Sequence, residues 1–201
     1  MSKIVLASNN PHKIKEFERI LDGGSVDIIS QSSLSIPEAA ETGLTFIENA
    51  ILKARNACFV SGLPAIADDS GIEVDALCGR PGIFSARYAG EECDDEANNA
   101  LLLEELKNIP FKKRTARYHC TIAFLPYHDC PVPNIYNASW EGYINEVRAG
   151  KNGFGYDALF YLPDLKCTAA ELSESKKNVI SHRGKALELF KLDFMEIMRN
   201  L

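Results

Sequence analysis

Ile4-Val5-Leu6-Ala7-Ser8-Asn9-Asn10-Pro11-His12-Lys13-Ile14-Lys15-Glu16-Phe17 changes its period partway along. Four apolar residues in a row, Ile4 to Ala7, predict a short buried strand. Ser8 to Pro11 is turn chemistry. From Lys13 onward Ile14, Phe17, Ile20 and Leu21 recur one helical turn apart, until Gly23-Gly24 ends the pattern. Val26 to Ile29 predicts a second strand. Strand, helix, strand is the opening of an α/β fold.

The alternation continues downstream. Thr45-Phe46-Ile47-Glu48 has capping-box spacing, in which each side chain satisfies an unpaired amide at a helix start. The helix it opens runs to about Ser61 and buries Phe46, Ala50, Ala54 and Ala57. Ala65-Ile66-Ala67 predicts a short strand running into Asp68-Asp69-Ser70-Gly71, after which Ile72, Val74 and Ala76 alternate as a half-buried strand. Gly79 to Gly82 is a loop. Asp94 and Asp95 lead a helix carrying Leu101, Leu102 and Leu106. Ala116, Tyr118, Cys120, Ile122 and Phe124 alternate as a long strand, with an antiparallel partner between Ile135 and Ile144. Ser181 caps a last helix that turns Leu187, Phe190, Phe194 and Ile197 inward. No linker or repeat divides the chain, so residues 1–201 read as a single α/β domain with a mixed sheet.

Composition narrows the function. The 201 residues are 46% hydrophobic and 25% charged, material for one well-buried core. A net charge of -6 without a basic run argues against a nucleic-acid partner, whose backbone needs clustered Lys and Arg to displace counterions. A single nucleotide needs only a few local cations. The first apolar run is far shorter than a signal-peptide core, and nothing approaches the ~20 apolar residues of a membrane span. Six scattered cysteines without a C-x-x-C pair point to free thiols in a reducing cytoplasm rather than to disulfides or zinc.

Four segments could carry chemistry. Ser8-Asn9-Asn10-Pro11-His12-Lys13 joins a strand to a helix, where backbone amides, short polar side chains and a lysine suit phosphate oxygens; the same residues also make an ordinary capped turn. In Asp68-Asp69-Ser70-Gly71, adjacent strand residues face opposite ways, so one carboxylate can meet Mg²⁺ or an attacking water while the other is held elsewhere. An acidic turn is the plain alternative, and Glu41 alone reads as a solvated acid. Gly153-Phe154-Gly155-Tyr156-Asp157 permits close backbone approach and offers an aromatic face to a base, or is a glycine-rich turn around a core Phe. Lys177 with Ser181-His182-Arg183-Gly184 supplies donors able to read a purine keto oxygen, or a basic helix start on the surface.

Taken in order, these segments together with Glu41-Thr42-Gly43-Leu44-Thr45-Phe46-Ile47-Glu48-Asn49-Ala50, Gly79-Arg80-Pro81-Gly82, Ser85-Ala86-Arg87-Tyr88 and Thr168-Ala169-Ala170-Glu171-Leu172 resemble the inosine triphosphate pyrophosphatase family almost end to end. Two departures stand out. Ser8-Asn9-Asn10 occupies the place of the more usual Thr-Gly-Asn, and Ser175-Lys176 stands where acids commonly precede Lys177.

The resemblance implies an elongated α/β fold, with a twisted mixed sheet and flanking helices forming two lobes around a central cleft, and a homodimer. It implies hydrolysis of ITP, dITP and XTP to monophosphate and pyrophosphate in the cytoplasm, with Mg²⁺ as cofactor. It further implies that Ser8, Asn9, Asn10, Pro11, His12 and Lys13 form the triphosphate loop, with Lys53 as another phosphate contact. Asp69 would be the proton acceptor and a metal ligand, with Glu41 the second metal carboxylate and Ser70 a substrate contact. Phe154, Gly155, Tyr156 and Asp157 would bind the base. Lys177, His182 and Arg183 would surround its 6-keto group, with Arg87 a further contact.

Overall fold

Ile4, Val5, Leu6 and Ala7 are all buried, because both faces of their strand are covered. In the computed structural model, which describes residues 2–21 and 26–200, β1 (Ser2–Leu6) has parallel neighbours on each side. β2 (Val26–Ser30) sets Ile28 opposite Ile4, and β3 (Ala65–Val74) sets Ile66 opposite Leu6. A parallel strand covered on both faces loses polar–apolar alternation, hence the unbroken apolar run. β4 (Thr115–Leu125), β5 (Asn134–Ile144), β6 (Phe160–Leu162) and β7 (Cys167–Thr168) complete a seven-stranded sheet of order β2-β1-β3-β4-β5-β6-β7. Ile144 N donates to Arg114 O and Thr121 lies across from Asn137, so β4 and β5 run antiparallel, as their patterns predict. β6 and β7 continue antiparallel. The expected mixed α/β sheet is therefore present.

The chain gathers into two compact units. The first comprises Met1–Asp69, Cys120–Ala138 and Arg183–Leu201, the second Ser70–His119 and Ser139–His182. In the first, Ile4, Leu6 and Ile66 pack with Phe17 of α1 (Pro11–Leu21) and with Leu187, Phe190 and Phe194 of α5 (His182–Asn200). Val5, Ala65 and Ala67, pointing the other way, meet Ala50, Ala54 and Ala57 of α2 (Phe46–Ser61). In the second unit Leu102 and Leu106 of α3 (Asp95–Leu106) pack with Ile72, Val74, Tyr118, Trp140 and Phe160.

Helix caps follow local chemistry. Thr45 Oγ1 accepts from Glu48 N at 3.2 Å, and the Glu48 carboxylate accepts from Leu44 N at 2.7 Å. Asp94 caps α3 through Glu96 N. Three expectations need correction. The acids at 68–69 lie within one continuous strand rather than after its end, since their side chains find partners without interrupting the ladder. Ala76 falls in a 3₁₀ turn, Asp75–Leu77. Phe46 is only half-buried, and Asn49 takes the buried place in the first turns of α2. A helix with no clear sequence signal, α4 (Glu174–Ile180), is capped by Ser173; seven residues are too few to display a period. The packing expected of Ile20, Leu21 and Ile197, and the stop at Gly23-Gly24, lie outside the residues and side chains described. Among the described residues no helix is long and apolar enough to cross a membrane.

Candidate active site

The strand β3 delivers two carboxylates into the first unit, one to each face of the sheet. Asp69 Oδ1 accepts from Lys53 Nζ at 2.7 Å, and the same ammonium donates to Glu41 Oε1 at 3.0 Å. Asn49 ties this group together: its Nδ2 donates to Asp69 Oδ2 at 3.3 Å, and its Oδ1 accepts from Gly43 N at 2.8 Å. A side chain on Gly43 would collide there, with an added Cβ only 2.7 Å from Asn49 Oδ1. That contact accounts for the glycine beside Glu41. Burial carries the Asp69 carboxyl above its ordinary range despite the Lys53 charge. For Lys53, burial opposes the charged form, but Asp69 and Glu41 outweigh it and hold the ammonium protonated.

Asp68 faces the other way and is 1% exposed. Its Oδ2 accepts from Lys13 Nζ at 3.1 Å and from Arg183 Nε and Nη2 at 3.1 and 3.0 Å, while Arg183 Nη1 reaches Glu16 at 2.5 Å. Burial would raise this carboxyl; Lys13 and Arg183 prevail and hold it well below the usual carboxylate range. In the loop before α1, Ser8 Oγ accepts from Asn10 N, and Asn10 Oδ1 accepts from the His12 and Lys13 amides. Asn10 thus caps the helix that begins at Pro11, where a missing N–H costs nothing. Asn9 Nδ2 donates to Glu38.

The second unit holds the glycine-rich segment. Asp157 Oδ2 accepts from Phe154 N at 2.9 Å and from Lys177 Nζ at 2.6 Å, and that ammonium stands 4.9 Å from the centre of the Phe154 ring. Gly153 has φ +78°, and a Cβ on it would lie 2.0 Å from Asp157 Oδ2; only glycine lets the carboxylate fold back on its own loop. α3 grips the next peptide from both ends, with Gly155 N donating to Asp95 and Asn99 Nδ2 donating to Gly155 O. The Tyr156 hydroxyl donates to Ser85 O at 2.8 Å. Arg87 stacks on Phe84, and Ser70 is partly exposed next to Asp69 on β3.

Of the residues singled out in the sequence, Glu41, Lys53 and Asp69 share one ion cluster; Lys13 and Arg183 share another. Phe154, Asp157 and Lys177 are together in the second unit, where His182 lies buried against Tyr118. His182 and Arg183, consecutive in sequence, send their side chains to different surroundings. Asp68 is the acid of the pair that strand alternation turns away and holds elsewhere. Glu16, Asn49, Asp95 and Asn99 carry no local sequence signal of the partners they take.

The fold and these side chains define a class: an α/β protein with a mixed sheet, carrying an acid pair closed on a lysine in the first unit and a buried lysine beside an aromatic ring in the second. The chain belongs to the Ham1 family, whose sequence pattern matches residues 4–192. It is 50% identical over 200 residues, the whole of both chains, to a dITP/XTP pyrophosphatase of Escherichia coli O157:H7. It is 49% identical, again over the whole of both, to one from Photorhabdus laumondii subsp. laumondii. The solved structure of a HAM1 protein from Coxiella burnetii superposes with a TM-score of 0.92 at 46% identity, covering 98% of this chain and 100% of that one.

Proposed function

We propose that this chain hydrolyses the non-standard purine triphosphates ITP, dITP and XTP to the monophosphate and pyrophosphate, removing them from the nucleotide pool. The observation carrying the reading is the convergence of Glu41 and Asp69 on Lys53 Nζ, with the Asp69 carboxyl raised by burial toward proton acceptance. Full-length relatives near 50% identity are named dITP/XTP pyrophosphatases.

The acid pair fits Mg²⁺, a hard cation commonly held by one or two carboxylates plus waters and substrate phosphates. Among the described residues no group of three or more metal-ligating side chains occurs. When bound by Glu41 and Asp69, Mg²⁺ supplies charge neutralisation on the phosphate oxygens. Lys53 and Lys13 hold phosphate oxygens by charge, with Ser8, Asn9, Asn10, Pro11 and His12 forming the loop around them. Asp69 takes a proton from the water whose oxygen bonds to the α-phosphorus as the bond to the pyrophosphate oxygen breaks. Ser70 contacts the substrate beside it. Phe154, Gly155, Tyr156 and Asp157 receive the base. Lys177, His182 and Arg183, the last held by Asp68 and Glu16, donate toward its 6-keto edge, and Arg87 is a further contact. A keto oxygen pairs with such donors, whereas an amino group leaves them unpaired. The active form is a cytoplasmic homodimer of single-domain chains, a setting that the six free cysteines suit.

A panel of ITP, XTP, ATP and dTTP, with and without Mg²⁺, tests this. Pyrophosphate release is expected from ITP and XTP only, and only with the metal; orthophosphate as the product, or equal rates with ATP, would reject it.

A further inference from the structure

His182 and Tyr118 lie face to face, with ring centroids 4.6 Å apart and planes 7° from parallel. Trp140 stands 6.4 Å from the imidazole at 25°. Phe160 completes the cluster, 4.7 Å from Tyr118 and 5.3 Å from Trp140. All of these side chains are buried. Tyr118, Trp140 and Phe160 belong to β4, β5 and β6, so the imidazole rests on a wall built from sheet rather than loop.

The N–H donors of an imidazole lie in its ring plane. A partner stacked on the ring face fixes that plane and leaves the edge available, and hydrogen bonds weaken steeply once the donor tilts away. A ring free to turn presents its acceptor nitrogen as readily as its donor, and an acceptor would pair with the amino group of an adenine.

We infer that Tyr118 is a positioning residue: its ring sets the plane of His182 and thereby the preference for a 6-keto over a 6-amino purine. The inference rests on the base-reading role proposed above for His182.

The test compares kcat/KM for ITP and ATP in the wild type, Tyr118→Phe, and Tyr118→Met, which fills similar volume without a flat face. The phenylalanine variant is expected to retain the ITP-over-ATP ratio. The methionine variant should lower it about tenfold or more, the size of a lost hydrogen bond in a dry site. Partial unfolding lowers both rates together and leaves the ratio untouched. An unchanged ratio in Tyr118→Met, or an equal loss in Tyr118→Phe, overturns the inference. Absence of any ITP preference in the wild type would instead reject the proposed function. Should Tyr118→Met not fold, nitrogen-15 imidazole spectra of the wild type decide: one fixed His182 orientation and tautomer is expected, and averaged signals overturn the inference.

Discussion

Asp68 and Asp69 are consecutive on one strand, yet their carboxylates bond to different side chains: Asp68 meets Lys13 and Arg183, and Asp69 meets Lys53 and Asn49. Side chains alternate across a strand, so neighbours in sequence are separated by the thickness of the sheet. Two acids of the same type are thereby given different work. One is locked ionised in a buried network; the other is carried upward by burial and meets Lys53 and Asn49.

Asp69→Asn keeps the shape of the cluster and removes the proposed proton acceptor. Turnover of ITP should fall by about a hundred- to ten-thousandfold, the usual contribution of a general base. Nucleotide affinity, measured by calorimetry with a non-hydrolysable analogue, should stay within a few-fold of wild type. Near-normal turnover would remove Asp69 from the mechanism.

Asp68→Asn should act on stability instead. Removing one member of a buried ion cluster leaves Lys13 and Arg183 under-compensated, at a cost of about 3–5 kcal/mol. The pH dependence has a definite sign. The folded-state pKa of Asp68 is depressed, so its stabilisation is complete above the unfolded carboxyl pKa near ~3.9 and declines as pH falls below it. Urea melts of both proteins should therefore differ most at neutral pH and converge in acid. A difference that does not shrink below pH ~4 contradicts the ion-cluster account.

Gly153→Ala places a Cβ against the Asp157 carboxylate at a positive φ. Either the loop opens or the Lys177–Asp157 pair breaks. KM for ITP should rise about tenfold, matching ~1–2 kcal/mol of backbone strain. kcat should change less, since Asp69 and Lys53 lie in the other unit. An unaltered KM would show that this turn does not bind the base.

Asn49→Leu deletes the side chain that joins Gly43 to Asp69. With a buried amide and carboxylate each losing a partner, about 1–3 kcal/mol of local order is lost. The Mg²⁺ concentration giving half-maximal activity should increase several-fold, because Glu41 rides on the segment that Asn49 anchors. Titration of activity against Mg²⁺ reads this directly.

Much of the fold could be read along the chain. The apolar run at Ile4–Ala7, the cap at Thr45 and the alternation from Ala116 to Phe124 each rest on interactions within a few residues, and each element formed where expected. Less local features escaped. α4 was too short to show a period, Phe46 ceded its place to Asn49, and β3 ran on through an acidic stretch that resembled a turn.

The ordered motifs carried the chemical inventory: which acids, lysines and aromatic residues are present, and that glycines flank Phe154. Pairing was another matter. No local pattern sends Arg183 to Asp68 and Glu16, 115 and 167 residues away, while the adjacent His182 stacks on Tyr118. Nor could spacing indicate that Lys53 would stand before both Glu41 and Asp69. Turn and helix preferences are set by backbone sterics and near neighbours, whereas charge pairing and ring stacking depend on distances that exist only once strands and helices have closed on one another.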